Sequence, residues 1–214
     1  MTLNLILLTP PSMSGQLTRF FAQFNKIETI KRADSLEDLA ALISQGGMTS
    51  RLVSFGTDLI VPADLLEGLA YGAYNFHPGP PTHPGWAPAS FALYDGAEIF
   101  GATLHEMTAK VDAGSIVGTE LFAIAPHITP DRLAGEATLA VGRLMRRLGR
   151  NLATQRTPLT RLPIGWSDNY GTRAKFARMR EISPELDQEE KARRVRAFGT
   201  AEFIYTVTRR AAAR

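Results

Sequence analysis

What most constrains the fold is an alternation, through the first half of the chain, between short apolar runs and segments of helical periodicity. Leu3–Leu8 opens as a mainly apolar run and reads as a buried first strand. Leu17, Phe20, Phe21 and Phe24 then recur three and four residues apart, which puts them on one stripe of a helix and makes them core residues rather than a cofactor box. A second strand is read near residues 28–31. Ser35 precedes the next periodic run with Asp38 three residues later, a helix start, and Gly46-Gly47 supplies the stop. Residues 52–55 and 70–75 read as further buried strands. Residues 99–105 and 116–124 are again strand-like, with Asp112-Ala113-Gly114 as the turn between them. Thr129-Pro130-Asp131 begins a long helix: Thr129 caps it, and Pro130 falls in the first turn, where a missing amide costs nothing. Its periodicity buries Leu133, Ala137, Ala140, Val141, Leu144 and Leu148. Strands alternating with helices in this way predict an α/β fold with a mostly parallel central sheet flanked by helices. The long helix closes a main domain over residues 1–155. A stretch rich in Pro, Trp, Asp, Asn and Gly follows, then a short helix over 187–198 with its acids first and its arginines last, together a C-terminal extension over 156–214.

Composition narrows the function classes without naming one. At 214 residues the chain can bury a full core, enough for one principal domain. Hydrophobic residues at 44% and charged residues at 21% exclude disorder, collagen and coiled coil. With no cysteine and four scattered histidines there is neither a disulfide framework nor a thiol nucleophile, and no metal is expected. The N-terminal apolar run lacks a basic flank and is too short to span a bilayer, so the expectation is no membrane association and a cytoplasmic location. The net charge of +3 hides an asymmetry: residues 143–214 hold 17 Lys and Arg against 7 Asp and Glu, and residues 1–142 hold 7 against 14. A basic end of this kind can meet phosphates, but it is more often a solvated face whose arginine stems cover apolar surface.

Chemistry-bearing residues gather in three places. Ala73-Tyr74-Asn75-Phe76-His77-Pro78 puts an amide and an imidazole at the end of a buried strand, and strand alternation points Asn75 and His77 to the same side. The C-terminal strand ends of open α/β sheets face the ligand crevice, so the place suits a site. By itself, an Asn-x-His pair is more often two satisfied hydrogen-bonders. Residues 78–88, Pro-Gly-Pro-Pro-Thr-His-Pro-Gly-Trp-Ala-Pro, follow as a loop stiffened by proline, either a rigid wall or a plain surface turn. The third piece is Gly101-Ala102-Thr103-Leu104-His105-Glu106-Met107 followed by Lys110-Val111-Asp112-Ala113-Gly114-Ser115-Ile116, a strand leading into an acidic turn.

The order and spacing of these segments, with Ala92-Leu93-Tyr94-Asp95-Gly96 between them, resemble the formyltransferase family over roughly residues 50–125. That family includes methionyl-tRNA formyltransferase, glycinamide ribonucleotide formyltransferase and the sugar N-formyltransferases. The resemblance implies a Rossmann-like domain and 10-formyltetrahydrofolate as formyl donor. It aligns Asn75, His77 and Asp112 with the family's catalytic residues, and His105 with a histidine on the neighbouring strand in some members. It also implies that Phe55, Gly56, Ile60 and Pro62, with Val111, Asp112 and Gly114, hold the pterin. Formyl transfer passes through a tetrahedral species whose oxygen carries negative charge, so N–H donors must point at it. Asn75 and His77 can supply them, and Asp112 can orient His77 or take the amine's proton, most usefully with a pKa near working pH.

The acceptor is read from the departures. Pro78-Gly79-Pro80-Pro81-Thr82 replaces the common Ser-Leu-Leu-Pro and is associated with short sugar-formyltransferase-like members. Thr9-Pro10-Pro11-Ser12-Met13-Ser14-Gly15 lacks the glycine-rich phosphate cradle of the glycinamide ribonucleotide enzymes. At 214 residues the chain is expected to stop short of the C-terminal barrel that methionyl-tRNA formyltransferases append. Thr172-Arg173, Met179-Arg180-Glu181-Ile182 and residues 193–198 look like the tail of several sugar enzymes. The expectation is therefore transfer to a primary amine, that of a nucleotide-linked amino sugar or another small amine. Glycinamide ribonucleotide or methionyl-tRNA remain the alternatives; nucleic acid is not the expected partner, with tRNA left open, as is a homodimer. A non-catalytic folate-binding module is the alternative of another class.

Overall fold

The computed structural model describes residues 3–199, so residues 200–214 of the expected extension lie outside the described residues. Six strands form one sheet in the order β2-β1-β3-β4-β5-β6: β1 Leu3–Leu8, β2 Ile27–Ala33, β3 Ser50–Phe55, β4 Ala73–His77, β5 Ile99–Glu106 and β6 Ile116–Ala123. β2, β1, β3 and β4 are mutually parallel. β5 and β6 are added antiparallel. The parallel strands follow from their connections, because a crossover through a helix returns the chain in the same direction. The α/β fold with a mostly parallel sheet is as the sequence pattern predicts. The strand expected over residues 70–75 starts later and runs on through His77.

Period-two alternation splits the β1 side chains between two cores. Leu3, Leu5 and Leu7 enter the larger one, where they meet Leu17 and Phe21 of α1 (Pro11–Ala22) and Ala140, Val141, Leu144 and Met145 of α5 (Pro130–Thr154). Ile6 and Leu8 face the other side, against Leu39 of α2 (Leu36–Gly46) and the partly buried Leu65 and Leu66 of α3 (Ala63–Glu67). Ser35 and Thr129 cap α2 and α5 as expected, accepting the backbone N–H of Asp38 and Arg132. Of the residues expected to be buried on α5, Leu148 is only partly so. Three short helices, α3, α4 (Pro88–Tyr94) and α6 (Arg173–Met179), are too brief to register as helical periods. Among the described residues no helix is long and apolar enough to cross a membrane.

The segment after α5 is fastened to this body. Arg51 on β3 is fully buried. It donates from Nε to Tyr71 O (2.8 Å), from Nη1 to Asn151 O (3.1 Å) and Leu152 O (2.6 Å), and from Nη2 to Thr157 O (3.0 Å). Its charge thus meets the C-terminal carbonyls of α5, the negative end of that helix. The Leu159 N–H donates to the Tyr74 hydroxyl at 2.9 Å. Further on, α7 (Gln188–Phe198) lays Ala197 and Phe198 against Phe91 of α4.

Candidate active site

The antiparallel register of β4 against β5 assembles the polar centre. Asn75 lies directly opposite His105, and His77 opposite Thr103. Directly opposed residues share a sheet face. Asn75, His77 and His105 therefore project together, with a register shift between Leu104 and His105 on the β6 side. Next to it the chain turns back through Asp112, whose backbone is left-handed at φ 43°. Asp accepts this conformation more readily than most non-glycine residues, and it carries the carboxylate in over the two imidazoles. His77 Nδ1 lies 3.1 Å from Asp112 Oδ2, and His105 Nε2 lies 3.1 Å from Oδ1. The Gly85 N–H donates to Oδ2 at 2.8 Å.

One buried carboxylate thus bridges two buried histidines. His77 Nε2 faces the His83 carbonyl at 3.0 Å, so both its nitrogens face acceptors. His105 Nδ1 faces Glu106 O at 2.8 Å, and its Nε2 also lies 3.2 Å from the Asn75 amide nitrogen. Glycine is required beside this array: a Cβ on Gly79 would come within 2.5 Å of His77 Nε2.

Burial alone would raise the Asp112 pKa, but the hydrogen bonds from His105 and His77 and their charge outweigh it and hold the carboxyl well below the usual range. This corrects the expectation of an aspartate poised near working pH: Asp112 is a fixed anion. Because its folded pKa is depressed, its contribution to stability is complete above the unfolded value of about 3.9 and is lost as pH falls further. The 13Cγ resonance of Asp112 is expected to stay at its carboxylate position from pH 8 down to pH 4. A midpoint above 4 would contradict the bridged arrangement.

The array opens into a cavity of about 840 Å³ at the C-terminal ends of β3 and β4. One wall is apolar, formed by Leu59, Ile60, Met107 and Val111; the other is formed by Gly85, Trp86 and Ala87 of the proline-rich loop. The loop expected as a wall or a plain surface turn thus lines the cavity. Leu59, Ile60, Trp86 and Val111 are exposed although apolar, a sign of a ligand surface. Asn75, His77, His105 and Asp112 share this lining, and apolar walls with a few polar groups are the make-up of a small-molecule site.

A family model described as formyl transferase matches residues 30–144. The chain belongs to the formyl transferase family. It is 32% identical over 111 residues to the methionyl-tRNA formyltransferase of Listeria monocytogenes, a match covering 51% of this chain and 34% of that protein. The chain therefore spans about a third of the length of the curated relatives it matches. Among solved structures, a 4-N formyltransferase from Francisella tularensis superposes with a TM-score of 0.75 at 18% identity, covering 91% of this chain and 87% of that one. A formyltransferase from Anoxybacillus kamchatkensis, in complex with UDP-4,6-dideoxy-4-formamido-L-AltNAc and tetrahydrofolate, superposes with a TM-score of 0.68 at 18% identity, covering 92% and 99%. At these identities the superpositions show the shared fold.

In this formyl transferase family member, the four residues expected to be catalytic, Asn75, His77, His105 and Asp112, meet at one end of the cavity. Of those expected at the pterin, Gly56, Ile60, Val111 and Asp112 line it. Phe55, Pro62 and Gly114 lie outside the lining: Phe55 packs into the larger core, Pro62 precedes the first turn of α3, and Gly114 offers its carbonyl to the Trp166 indole at 2.8 Å. Tyr170, also in the lining, escaped the sequence reading. Burial and the charge of Asp112 push the Tyr170 phenol up to about 12, and its hydroxyl donates to Val111 O. Of the Thr172-Arg173 pair singled out for the tail, Arg173 reaches the site: it lines the cavity and pairs with Asp58 at 2.7 Å, while Thr172 caps α6.

Proposed function

We propose that this chain moves the formyl group of 10-formyltetrahydrofolate to the primary amine of an amino sugar, one linked to a nucleotide being the leading acceptor. The observation that carries the reading is the Asp112 carboxylate bridging His77 and His105 beside Asn75 at the head of the cavity. Binding of tetrahydrofolate and a nucleotide-linked formamido sugar by the Anoxybacillus relative supports both the donor and the acceptor class.

As the amine nitrogen bonds to the formyl carbon, the formyl oxygen gains negative charge. Asn75 Nδ2–H is a donor for it, and an N–H at His77 Nε2 becomes a second one by exchanging the His83 carbonyl for the formyl oxygen. The ionised Asp112 holds both rings in place, as an orienting aspartate does beside a catalytic histidine. The proton lost by the amine is taken up by the histidine–aspartate array and passed to the folate nitrogen as its bond to the formyl carbon breaks and tetrahydrofolate leaves. Ile60 and Val111 would hold the pterin, and Gly56 leaves room for it.

The test is release of tetrahydrofolate from the donor in the presence of nucleotide-linked amino sugars, glycinamide ribonucleotide or methionyl-tRNA, with an amine-free control. Release that depends on an amino sugar is expected. Equal release without amine would replace the reading with hydrolysis, and folate binding with no release in any arm would replace it with a binding module. An acceptor with many phosphates would reveal itself by a steep loss of affinity with salt.

A further inference from the structure

The segment beyond α5 does more than follow the domain. Between residues 162 and 171 it is hydrogen-bonded to both walls of the site. Toward the turn between β5 and β6, the Leu162 N–H donates to Ile116 O at 2.7 Å, Trp166 Nε1–H to Gly114 O at 2.8 Å, and the Tyr170 hydroxyl to Val111 O. Toward the proline-rich loop, Ser167 donates from its N–H to Pro81 O at 3.0 Å and from its hydroxyl to Thr82 O at 2.6 Å. The Gly171 N–H reaches Pro84 O and the Trp86 N–H reaches Gly171 O, each at 2.9 Å. Asp112 lies where these two walls meet, on the turn by its backbone and tied to the loop through Gly85.

Trp166 has a second contact that its neighbours lack. Its ring stands edge-on to His77, with centroids 5.6 Å apart at 79°, and to His105, at 5.1 Å and 87°. A single half-buried indole therefore touches both imidazoles that share the Asp112 carboxylate, while its N–H fixes the turn that carries that carboxylate. Edge-to-face geometry is the favoured one for such rings, and the indole donor is satisfied, so the side chain has a defined orientation to impose. It does not line the cavity and acts only through the histidines and the turn.

We infer that Trp166, outside the 30–144 segment that matches the family model, is a positioning residue that sets the His77–Asp112–His105 geometry. The rate consequence rests on the proposed formyl transfer; the geometric one does not. In Trp166→Ala, kcat is expected to fall on the order of tenfold to a hundredfold, the scale of a displacement near 1 Å at a reacting centre, with KM for the formyl donor little changed. Trp166→Phe keeps an aromatic ring against the imidazoles and loses the N–H and part of the ring area, so it should recover most of that loss. Independently of turnover, the imidazole 15N resonances of His77 and His105, which report tautomer and protonation, should move in Trp166→Ala and return toward wild type in Trp166→Phe. A fold that is merely weakened would lower the melting temperature and leave those resonances in place. Unmoved 15N resonances in a folded Trp166→Ala protein would overturn the inference, whatever the protein catalyses. Moved resonances with an unchanged kcat would overturn its rate consequence.

Discussion

Asp112→Asn is expected to lower turnover by on the order of 10³- to 10⁴-fold, the scale seen when an aspartate that orients a catalytic histidine loses its charge, while the fold is retained. The native carboxylate accepts from three directions, through His77, His105 and the Gly85 N–H. An amide of the same shape has only one oxygen, so its NH2 group must face one of the imidazoles and demand a lone pair there. That ring is then held neutral, with its one N–H on the nitrogen that faces the His83 or Glu106 carbonyl, and it can no longer carry a proton on the side of residue 112. Because Asp112 also lines the cavity, kcat and KM for the donor should be measured separately on protein whose circular dichroism matches wild type. A kcat within about tenfold of wild type would remove Asp112 from the centre of the account, since tenfold corresponds to only about 1.4 kcal/mol of barrier.

The second large effect is on stability. Arg51→Met is expected to cost about 3 kcal/mol or more in denaturant unfolding. The methionine fills the stem's volume but leaves the carbonyls of Tyr71, Leu152 and Thr157 without the donor that reaches them. Each buried group stripped of its partner costs about 1–3 kcal/mol, and removal of one partner from a buried charged network is on the scale of 3–5 kcal/mol. The effect should spread to the site, because Thr157 leads into the segment that carries Trp166 and Tyr170. A loss below 1 kcal/mol would show that those carbonyls find other partners.

Much of the fold was legible because it rests on local periodicity. The six strands, the caps at Ser35 and Thr129 and the apolar face of α5 are all written in spacings of two, three and four. Asn75 and His77 were legible for the same reason, since two residues apart on a strand means one face. His105 and Asp112 were placed by family resemblance alone. Their meeting depends on the β4–β5 register and on a left-handed backbone at Asp112, neither of which leaves a mark in local sequence. The ionised state of Asp112 was misjudged because it depends on two imidazoles approaching the same carboxylate, a tertiary fact. Arg51 was invisible, as one arginine in a strand signals nothing until α5 delivers its carbonyls. Trp166 and Tyr170 lie in a stretch without period, where only contacts across some 50 to 85 residues of sequence give them meaning.

The central claim, that the Asn75, His77, His105 and Asp112 cluster passes a formyl group to an amine, is tested most directly by following the group itself. With 10-formyltetrahydrofolate labelled at the formyl carbon with 13C and a nucleotide-linked amino sugar as acceptor, the label should appear as a formamide carbon in the sugar. It should do so at a rate that Asp112→Asn abolishes. Label recovered only as free formate, or formamide formed equally fast by Asp112→Asn, would contradict the account.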